Sequence, residues 1–171
     1  TFDIEAEAVI GLKARVGPSF VDAVRRILEV RGRVVVMGMG KSGHVGRKVA
    51  ATLASTGTPA MFVHPAEASH GDLGMIKSVD LVLAISNSGE SGEISVLLPV
   101  LKRLGVPAVA MTGNPPSSMA RHADWVLNTP ADTAACPPNL APPARTTAQI
   151  ATGRSLVGAP LASPCPQADA I

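Results

Sequence analysis

Residues 33–46 read RVVVMGMGKSGHVG, an apolar run that ends in a glycine-rich turn. Consecutive β-branched residues such as these valines are typical of a strand that is covered on both faces of a parallel sheet. The residues after the turn have a helical pattern, so the stretch predicts a strand–turn–helix unit. A second unit of this kind is predicted at residues 80–104, where DLVLAI precedes the turn SNSGESGE and another helical pattern.

The rest of the chain alternates in the same way. Residues 3–30 are predicted to be helical, with a break at Gly17-Pro18 and Ser19 as the cap of the second half. Further strands are predicted at 60–63, 107–111 and 125–127, and further helices at 42–56 and 117–122. This order predicts an α/β fold, a parallel sheet with helices on both faces. Residues 145–156 have a helical composition, but Gly153, Gly158 and Pro160 oppose a helix there, and poor order is expected from Gly158 onward.

The composition limits the classes of function. The 171 residues, 46% of them hydrophobic, suit one globular domain. A net charge of +2 and an aromatic content of 2% argue against a nucleic-acid or membrane-surface partner. Cys136 and Cys165 lack the spacing of a metal site or a disulfide framework, which favours a reducing compartment. With no export signal and no apolar run of membrane-spanning length, a cytoplasmic location is expected.

The glycine-rich turn at Gly38–Gly46 allows several interpretations. It matches the dinucleotide fingerprint, but no acidic residue follows the second strand to hold a ribose. Gly40-Lys41-Ser42 resembles the end of a phosphate-binding loop, yet the glycine required upstream is replaced by Val35. The third interpretation of the turn is a phosphosugar pocket, in which Gly40 and Ser42 contact the ligand and Lys41 is a cation or proton donor. The alternative is a simple tight turn with a solvated lysine.

The turn at Ser86–Glu93 has the composition of a neutral anion cradle. Hydroxyls at Ser86, Ser88 and Ser91, together with the backbone N–H groups of a helix start, can bind a phosphate without a cluster of arginines. Glu90 and Glu93 lie in the predicted first turn of that helix. Each can either complement the helix dipole or, if it faces a pocket, contact substrate or move a proton.

Two histidines, His64 and His70, follow the second predicted strand. Either can be a polar ligand contact, a general acid or base, or a weak metal ligand. Two histidines without a third ligand at motif spacing are more often ordinary side chains.

Three stretches together resemble the sugar isomerase (SIS) domain, specifically that of the arabinose 5-phosphate isomerases of bacterial Kdo biosynthesis. They read GMGKSGHVGRKVAATLASTGTPAMFVHPAEASHGDLGMI, ISNSGESGEI and PVLKRLGVPAVAMTGNPPSSMARHADWVL. The resemblance implies a three-layer αβα flavodoxin-like domain over residues 1–152 with a parallel five-stranded sheet. It also implies interconversion of D-arabinose 5-phosphate and D-ribulose 5-phosphate for lipopolysaccharide synthesis, by a homotetramer.

The same resemblance implies roles for individual residues. Lys41 and Glu93 correspond to catalytic residues of the family. The corresponding sugar-phosphate contacts are Gly57, Thr58, His70, Ser86, Ser88 and Ser91, and we count Gly40, Ser42 and Glu90 with them. No cofactor is expected to be required, although the resemblance implies a possible zinc contact at His64.

The chain departs from the family pattern in two places. Ala134 stands where the family has a second catalytic glutamate. From Gly153 the amino-acid sequence becomes rich in proline, and it lacks the family's later catalytic histidine. Residues 153–171 are therefore predicted to be an atypical tail, such as a shifted reading frame would produce. On this basis the alternative function is a phosphosugar-binding module without turnover.

Overall fold

The computed structural model describes residues 2–129 and 143–162. Within these ranges, five parallel strands form one sheet with the order β2-β1-β3-β4-β5. The strands are β1 (Val34–Gly38), β2 (Ala60–Phe62), β3 (Leu81–Ile85), β4 (Ala108–Thr112) and β5 (Trp125–Asn128). The prediction of a five-stranded parallel α/β fold is confirmed.

The helices connect the strands and cover both faces of the sheet. They are α1 (Phe2–Gly11), α2 (Pro18–Glu29), α3 (Gly40–Ser55), α4 (Pro65–Ser69), α5 (Gly92–Arg103), α6 (Ser118–His122) and α7 (Pro143–Ala162). Short 3-10 helices lie at Leu12–Arg15 and Asp72–Met75. No helix in the part of the chain that the structure describes is long and apolar enough to cross a membrane.

The valine run of β1 divides between two hydrophobic cores. Val34 and Val36 pack with residues of α2, α3 and α7 on one face. Val35 and Met37 pack with residues of α4, α5 and α6 on the other. A strand with both faces covered needs apolar side chains at every position, which is why β1 shows no alternation of polar and apolar residues.

Two details of the helices differ from the sequence predictions. Ser19 is not the cap of α2, because the helix begins at Pro18 with Gly17 in the capping position. A proline is favoured as the first residue of a helix, since its fixed φ suits the helix and its missing N–H needs no partner there.

The prediction that Gly153, Gly158 and Pro160 would oppose a helix is wrong, because α7 runs through all three. A Cβ built at Gly153 would lie 2.5 Å from Cγ2 of Val49 in α3. The absent side chain therefore lets α7 approach α3 closely, and this packing outweighs the poor helix propensity of glycine. The helix crosses the predicted domain boundary at residue 152, and the boundary itself stays a prediction.

Candidate functional site

The two glycine- and serine-bearing turns leave the sheet side by side. Gly38 and Ile85, the last residues of β1 and β3, are paired in the register of the two strands. The turn after Gly38 leads into α3 on one face, and the turn after Ile85 leads into α5 on the other. In a parallel sheet, the carboxyl edge between strands whose connections go to opposite faces is where ligands bind.

The start of α3 is suited to an anion. Its capping residue, Met39, offers no side-chain hydrogen bond, and its first turn contains no acidic residue. Lys41 is exposed, and no hydrogen bond or ion pair joins its ammonium group to another residue in the described ranges. Free N–H groups, the positive end of the helix dipole and an ammonium group therefore occur together.

The serines of the second turn hold its backbone. The Ser86 hydroxyl oxygen accepts a hydrogen bond from the Gly89 N–H at 3.2 Å. The Ser88 hydroxyl oxygen accepts one from the Glu90 N–H at 3.3 Å. Each hydroxyl keeps its own hydrogen, which can rotate to donate to a ligand oxygen.

Glu93 lies in the first turn of α5 and is ionised more easily than an ordinary glutamate. Its own backbone N–H and the Ser91 hydroxyl, which donates to Oε2 at 2.9 Å, lower the pKa of the Glu93 carboxyl. A charge on His64 lowers this pKa slightly further. A carboxylate that is ionised at neutral pH can accept a proton from a ligand.

The second turn is also fastened to the connection between β4 and α6. Five hydrogen bonds join the turn to residues 112–119: Thr112 Oγ1 to Asn87 O (3.3 Å), Gly113 N–H to Asn87 O (3.0 Å), Asn114 Nδ2 to Ser88 O (3.0 Å), Met119 N–H to Gly89 O (3.0 Å) and Ser118 N–H to Glu90 Oε1 (2.9 Å). Gly89 has φ +67°, and a Cβ there would lie 2.0 Å from the Ser117 hydroxyl oxygen. These contacts hold the turn rigidly in one conformation.

Buried polar atoms without hydrogen-bond partners are concentrated around this edge. In the part of the chain that the structure describes, they are His64 Nδ1, Asn87 Oδ1, Asn128 Oδ1, Thr129 Oγ1 and Gln149 Nε2. The first four belong to residues at or just beyond the ends of β2, β3 and β5, and Gln149 contacts Ser42 at the start of α3. Buried polar groups without partners are costly, so their position points to a polar ligand or ordered water at this edge.

The comparisons with known proteins agree with this geometry. A family model described as the SIS domain matches residues 27–159. The chain belongs to the SIS domain family. The two turns described above lie in the first and second of the three stretches that carry the sequence resemblance.

Curated relatives narrow the resemblance within the SIS family. The chain is 56% identical over 156 residues to the arabinose 5-phosphate isomerase KdsD of Pseudomonas aeruginosa. This match covers 91% of this chain and 48% of the relative. It is 52% identical over 159 residues to the KdsD of Francisella tularensis, with 91% and 49% covered. The chain thus spans about half the length of the curated relatives that it matches.

Solved SIS structures share the fold. A protein of E. coli CFT073 in complex with arabinose 5-phosphate is 39% identical, with a TM-score of 0.85 over 92% of this chain and 84% of that chain. A Listeria monocytogenes protein is 31% identical, with a TM-score of 0.88 over 93% and 84%.

The structure brings most of the predicted site residues to one edge. Gly40, Lys41, Ser42, Ser86, Ser88, Glu90, Ser91 and Glu93 all lie in the two turns or in the first turns of α3 and α5. Their roles as substrate contacts or catalytic groups stay predictions, but their common location satisfies the geometry that those roles need.

Gly57 and Thr58 are not brought to this edge. They precede β2, and the neighbouring Pro59 accepts a hydrogen bond from Val34 N–H at the beginning of β1. Because β1 and β2 are parallel, the residues that enter β2 lie at the opposite edge, about 13 Å along the strand from Gly38. Within one chain these two residues cannot share a pocket with Lys41.

The two histidines lie at the ends of α4. His64 is half-buried and occupies the N-cap position without a side-chain capping bond, and His70 is exposed at the end of the helix. No group of three or more His, Cys, Asp or Glu side chains in the described ranges could hold a metal ion. Since zinc in proteins takes three or four such ligands, the described residues do not fit a zinc site at His64, and no step below involves a metal.

Some residues of the site were not predicted. Ser118, which fastens the second turn, and Gln149, which contacts Ser42 at 3.4 Å, come from two different parts of the chain. The available signal was weak: polar residues follow the predicted strand that ends at Met111. Ala134, the position of the missing carboxylate, lies outside the described residues.

Proposed function

We propose that this chain is the isomerase domain of an arabinose 5-phosphate isomerase, which interconverts D-arabinose 5-phosphate and D-ribulose 5-phosphate. The observation that carries the proposal is the pairing of Gly38 with Ile85, because it sets the turn of Lys41 beside the turn of Glu93. The KdsD relatives and the arabinose 5-phosphate complex support the choice of sugar.

The phosphate binds between the two helix starts. The start of α3 and the hydroxyls of Ser86 and Ser88 donate hydrogen bonds to the phosphate oxygens. The second turn is fastened by its five bonds to residues 112–119, so it loses little conformational freedom when the phosphate binds. The bound phosphate then orients the open-chain sugar over the edge of the sheet.

The chemistry is the transfer of one proton between adjacent carbons. In the direction from aldose to ketose, the Glu93 carboxylate removes the proton from C2, and the electron pair of that C–H bond forms the C1–C2 double bond of a cis-enediol. The Lys41 ammonium group stabilises the negative charge that develops on the aldehyde oxygen and donates a proton to it, so that this oxygen becomes a hydroxyl. Glu93 returns the C2 proton to C1, and the C2 hydroxyl gives its proton back to the Lys41 amine, which yields the ketone and restores both residues.

A second candidate function is a phosphosugar-binding domain without turnover. Ala134 favours it, because the family's second carboxylate is absent from the sequence at that position. Both candidates need the same phosphate site, and they differ only in whether sugar that is bound is also converted.

Binding and turnover are measured separately to test the proposal. Calorimetry with D-arabinose 5-phosphate should show binding, and a ribulose 5-phosphate assay should show turnover that falls at least about a hundredfold in Lys41→Met. Lys48→Met is the matched control, since Lys48 is another exposed lysine of α3, about two helical turns further on. Binding with no turnover above Lys41→Met would favour the second candidate, and absence of binding would contradict both.

Self-association is proposed as well. The helices at the beginning of the chain expose large apolar side chains, among them Phe2 (90% exposed), Ile10 (61%) and Leu28 (53%). Such a concentration of apolar surface favours association with a partner surface. The homotetramer, the role in Kdo and lipopolysaccharide synthesis and the cytoplasmic location stay predictions.

A further inference from the structure

A buried glutamine of α7 lies against the first turn of α3. Gln149 is 1% exposed, and its Oε1 accepts a hydrogen bond from the Ser42 hydroxyl at 3.4 Å, although the two residues are 107 positions apart. Ser42 is half-buried and belongs to the helix start at the carboxyl edge. Gln149 is thus covered from any ligand at this edge, but it contacts a residue that such a ligand can reach.

The contact with Gln149 uses the one hydrogen of the Ser42 hydroxyl. A serine hydroxyl has a single hydrogen to donate, and its oxygen also has lone pairs that accept. The oxygens of an ionised phosphate only accept hydrogen bonds. While the Ser42 hydrogen points to Gln149 Oε1, Ser42 therefore has nothing to donate to a phosphate.

The amide of Gln149 has a second orientation that frees this hydrogen. An amide carries an acceptor oxygen at one end and two donor hydrogens on the nitrogen at the other, and the two ends have nearly the same size. The Gln149 Nε2 is buried and has no hydrogen-bond partner among residues 2–129 and 143–162. Half a turn of the amide brings Nε2 to Ser42, where it donates to Oγ and leaves the hydroxyl hydrogen for a ligand.

The two orientations of the amide are close in free energy when no ligand is bound. Each pairs one end of the amide with Ser42 and leaves the other end buried without a partner, so the two desolvation costs nearly cancel. The observed bond of 3.4 Å is longer than the usual O–H···O range of about 2.5–3.0 Å, so it favours its own orientation only weakly. A ligand that needs Ser42 as a donor selects the other orientation, because a ligand shifts an equilibrium by its difference in affinity for the two states.

We propose that Gln149 is a positioning residue of the sugar-phosphate site. When the phosphate binds at the start of α3, the amide turns, Nε2 donates to Ser42 Oγ, and the Ser42 hydroxyl donates to a phosphate oxygen. The inference rests on the proposed function, since it requires a phosphate at this edge. It adds to the site a residue of α7 whose own atoms do not touch the substrate.

Gln149→Met tests this role, because methionine has a similar size and helix propensity but no amide. Calorimetry with D-arabinose 5-phosphate should show binding about fivefold weaker, and steady-state kinetics a KM about fivefold higher with little change in kcat. The free energy of unfolding in urea should not fall, since an apolar side chain removes a buried donor that has no partner. A merely structural role would instead lower the stability and leave the KM unchanged.

Because Gln149 acts through Ser42, the effects of the two residues should be coupled. Ser42→Ala should weaken the binding of D-arabinose 5-phosphate about tenfold. Gln149→Met added to Ser42→Ala should change the binding less than about twofold further. Thr152→Val, which removes a hydroxyl from another buried residue of α7 about one turn further on, is the control and should bind like the unmodified chain.

Failure of this inference is distinguishable from failure of the proposed function. Absence of binding by the unmodified chain would refute the phosphate site, and this inference with it. If the unmodified chain binds, then unchanged binding in Gln149→Met, or an equal loss with and without the Ser42 hydroxyl, would overturn the inference alone.

Discussion

The Glu90 carboxylate accepts a hydrogen bond from the backbone N–H of Ser118 at 2.9 Å. The two residues are 28 positions apart, and their contact ties the second turn to the start of α6. Hydrogen bonds from the side chain and the backbone of Ser118 lower the pKa of Glu90. A carboxylate engaged in this way positions the turn, and its negative charge makes it a poor direct partner for a phosphate.

Replacing Glu90 should therefore affect sugar-phosphate binding more than chemistry. In Glu90→Ala we expect the KM for arabinose 5-phosphate to rise about fivefold with little change in kcat, because the turn loses a hydrogen bond that preorganises it. Glu90→Gln keeps an oxygen that can accept the Ser118 N–H and should stay near the parent KM. Steady-state kinetics of both variants measure this, and a loss of kcat alone would argue against a positioning role.

The Ser91 hydroxyl is predicted to set the acid limb of the pH profile. The backbone N–H of Glu93 and, after it, the Ser91 hydroxyl lower the pKa of the Glu93 carboxyl, so activity that requires this carboxylate persists to a lower pH than with an ordinary glutamate. Ser91→Ala removes this hydrogen bond, raises the pKa of Glu93 and should move the acid limb of kcat/KM to higher pH. Ser95→Ala, one turn further along α5, is the control. A limb that moves to lower pH, or not at all, would show that Glu93 is not the base.

The close approach of α3 and α7 can be tested with two glycines of the same helix. Gly153→Ala should destabilise the protein, because the new Cβ would lie 2.5 Å from Val49 Cγ2 in a packed interface. At Gly158 no atom lies within 4 Å of a built Cβ, so Gly158→Ala should stabilise by up to about 1 kcal/mol through helix propensity. Urea unfolding of both variants measures the difference. Equal stabilisation by both would show that α7 does not pack against α3 as described.

Asp80 is predicted to stabilise the edge of the sheet at which the strands begin, opposite the edge that carries Lys41. Its carboxylate is 2% exposed and accepts hydrogen bonds from the backbone N–H groups of Arg33 and Lys77, each at 2.8 Å. Asp80→Ala leaves both donors without this partner and should cost about 2–3 kcal/mol of unfolding free energy. Asp72→Ala, at an exposed aspartate, is the control and should change the stability little. A similar loss in both variants would contradict this role.

The order of the strands and of most helices could be predicted because each depends on neighbouring residues, although the short helix α4 was not predicted. The valine run of β1, the glycines after it and the helical spacing that follows are short-range signals, and they indicate the strand–turn–helix units of the fold. Parallel topology then requires that Lys41 and Glu93 lie at the same edge of the sheet. Contacts between distant segments carry no such signal. The Glu90–Ser118 bond, the path of α7 through Gly153 and the contact of Gln149 with Ser42 arise only when those segments pack.

The same distinction explains Gly57 and Thr58. Their similarity to family residues is a property of the sequence, but their distance from Lys41 depends on the direction of β2, which places them at the far edge of the sheet. Local propensities determine which elements form, because they act within a few residues. Side-chain packing and long-range hydrogen bonds determine which groups meet, because their free energy exists only in the assembled fold.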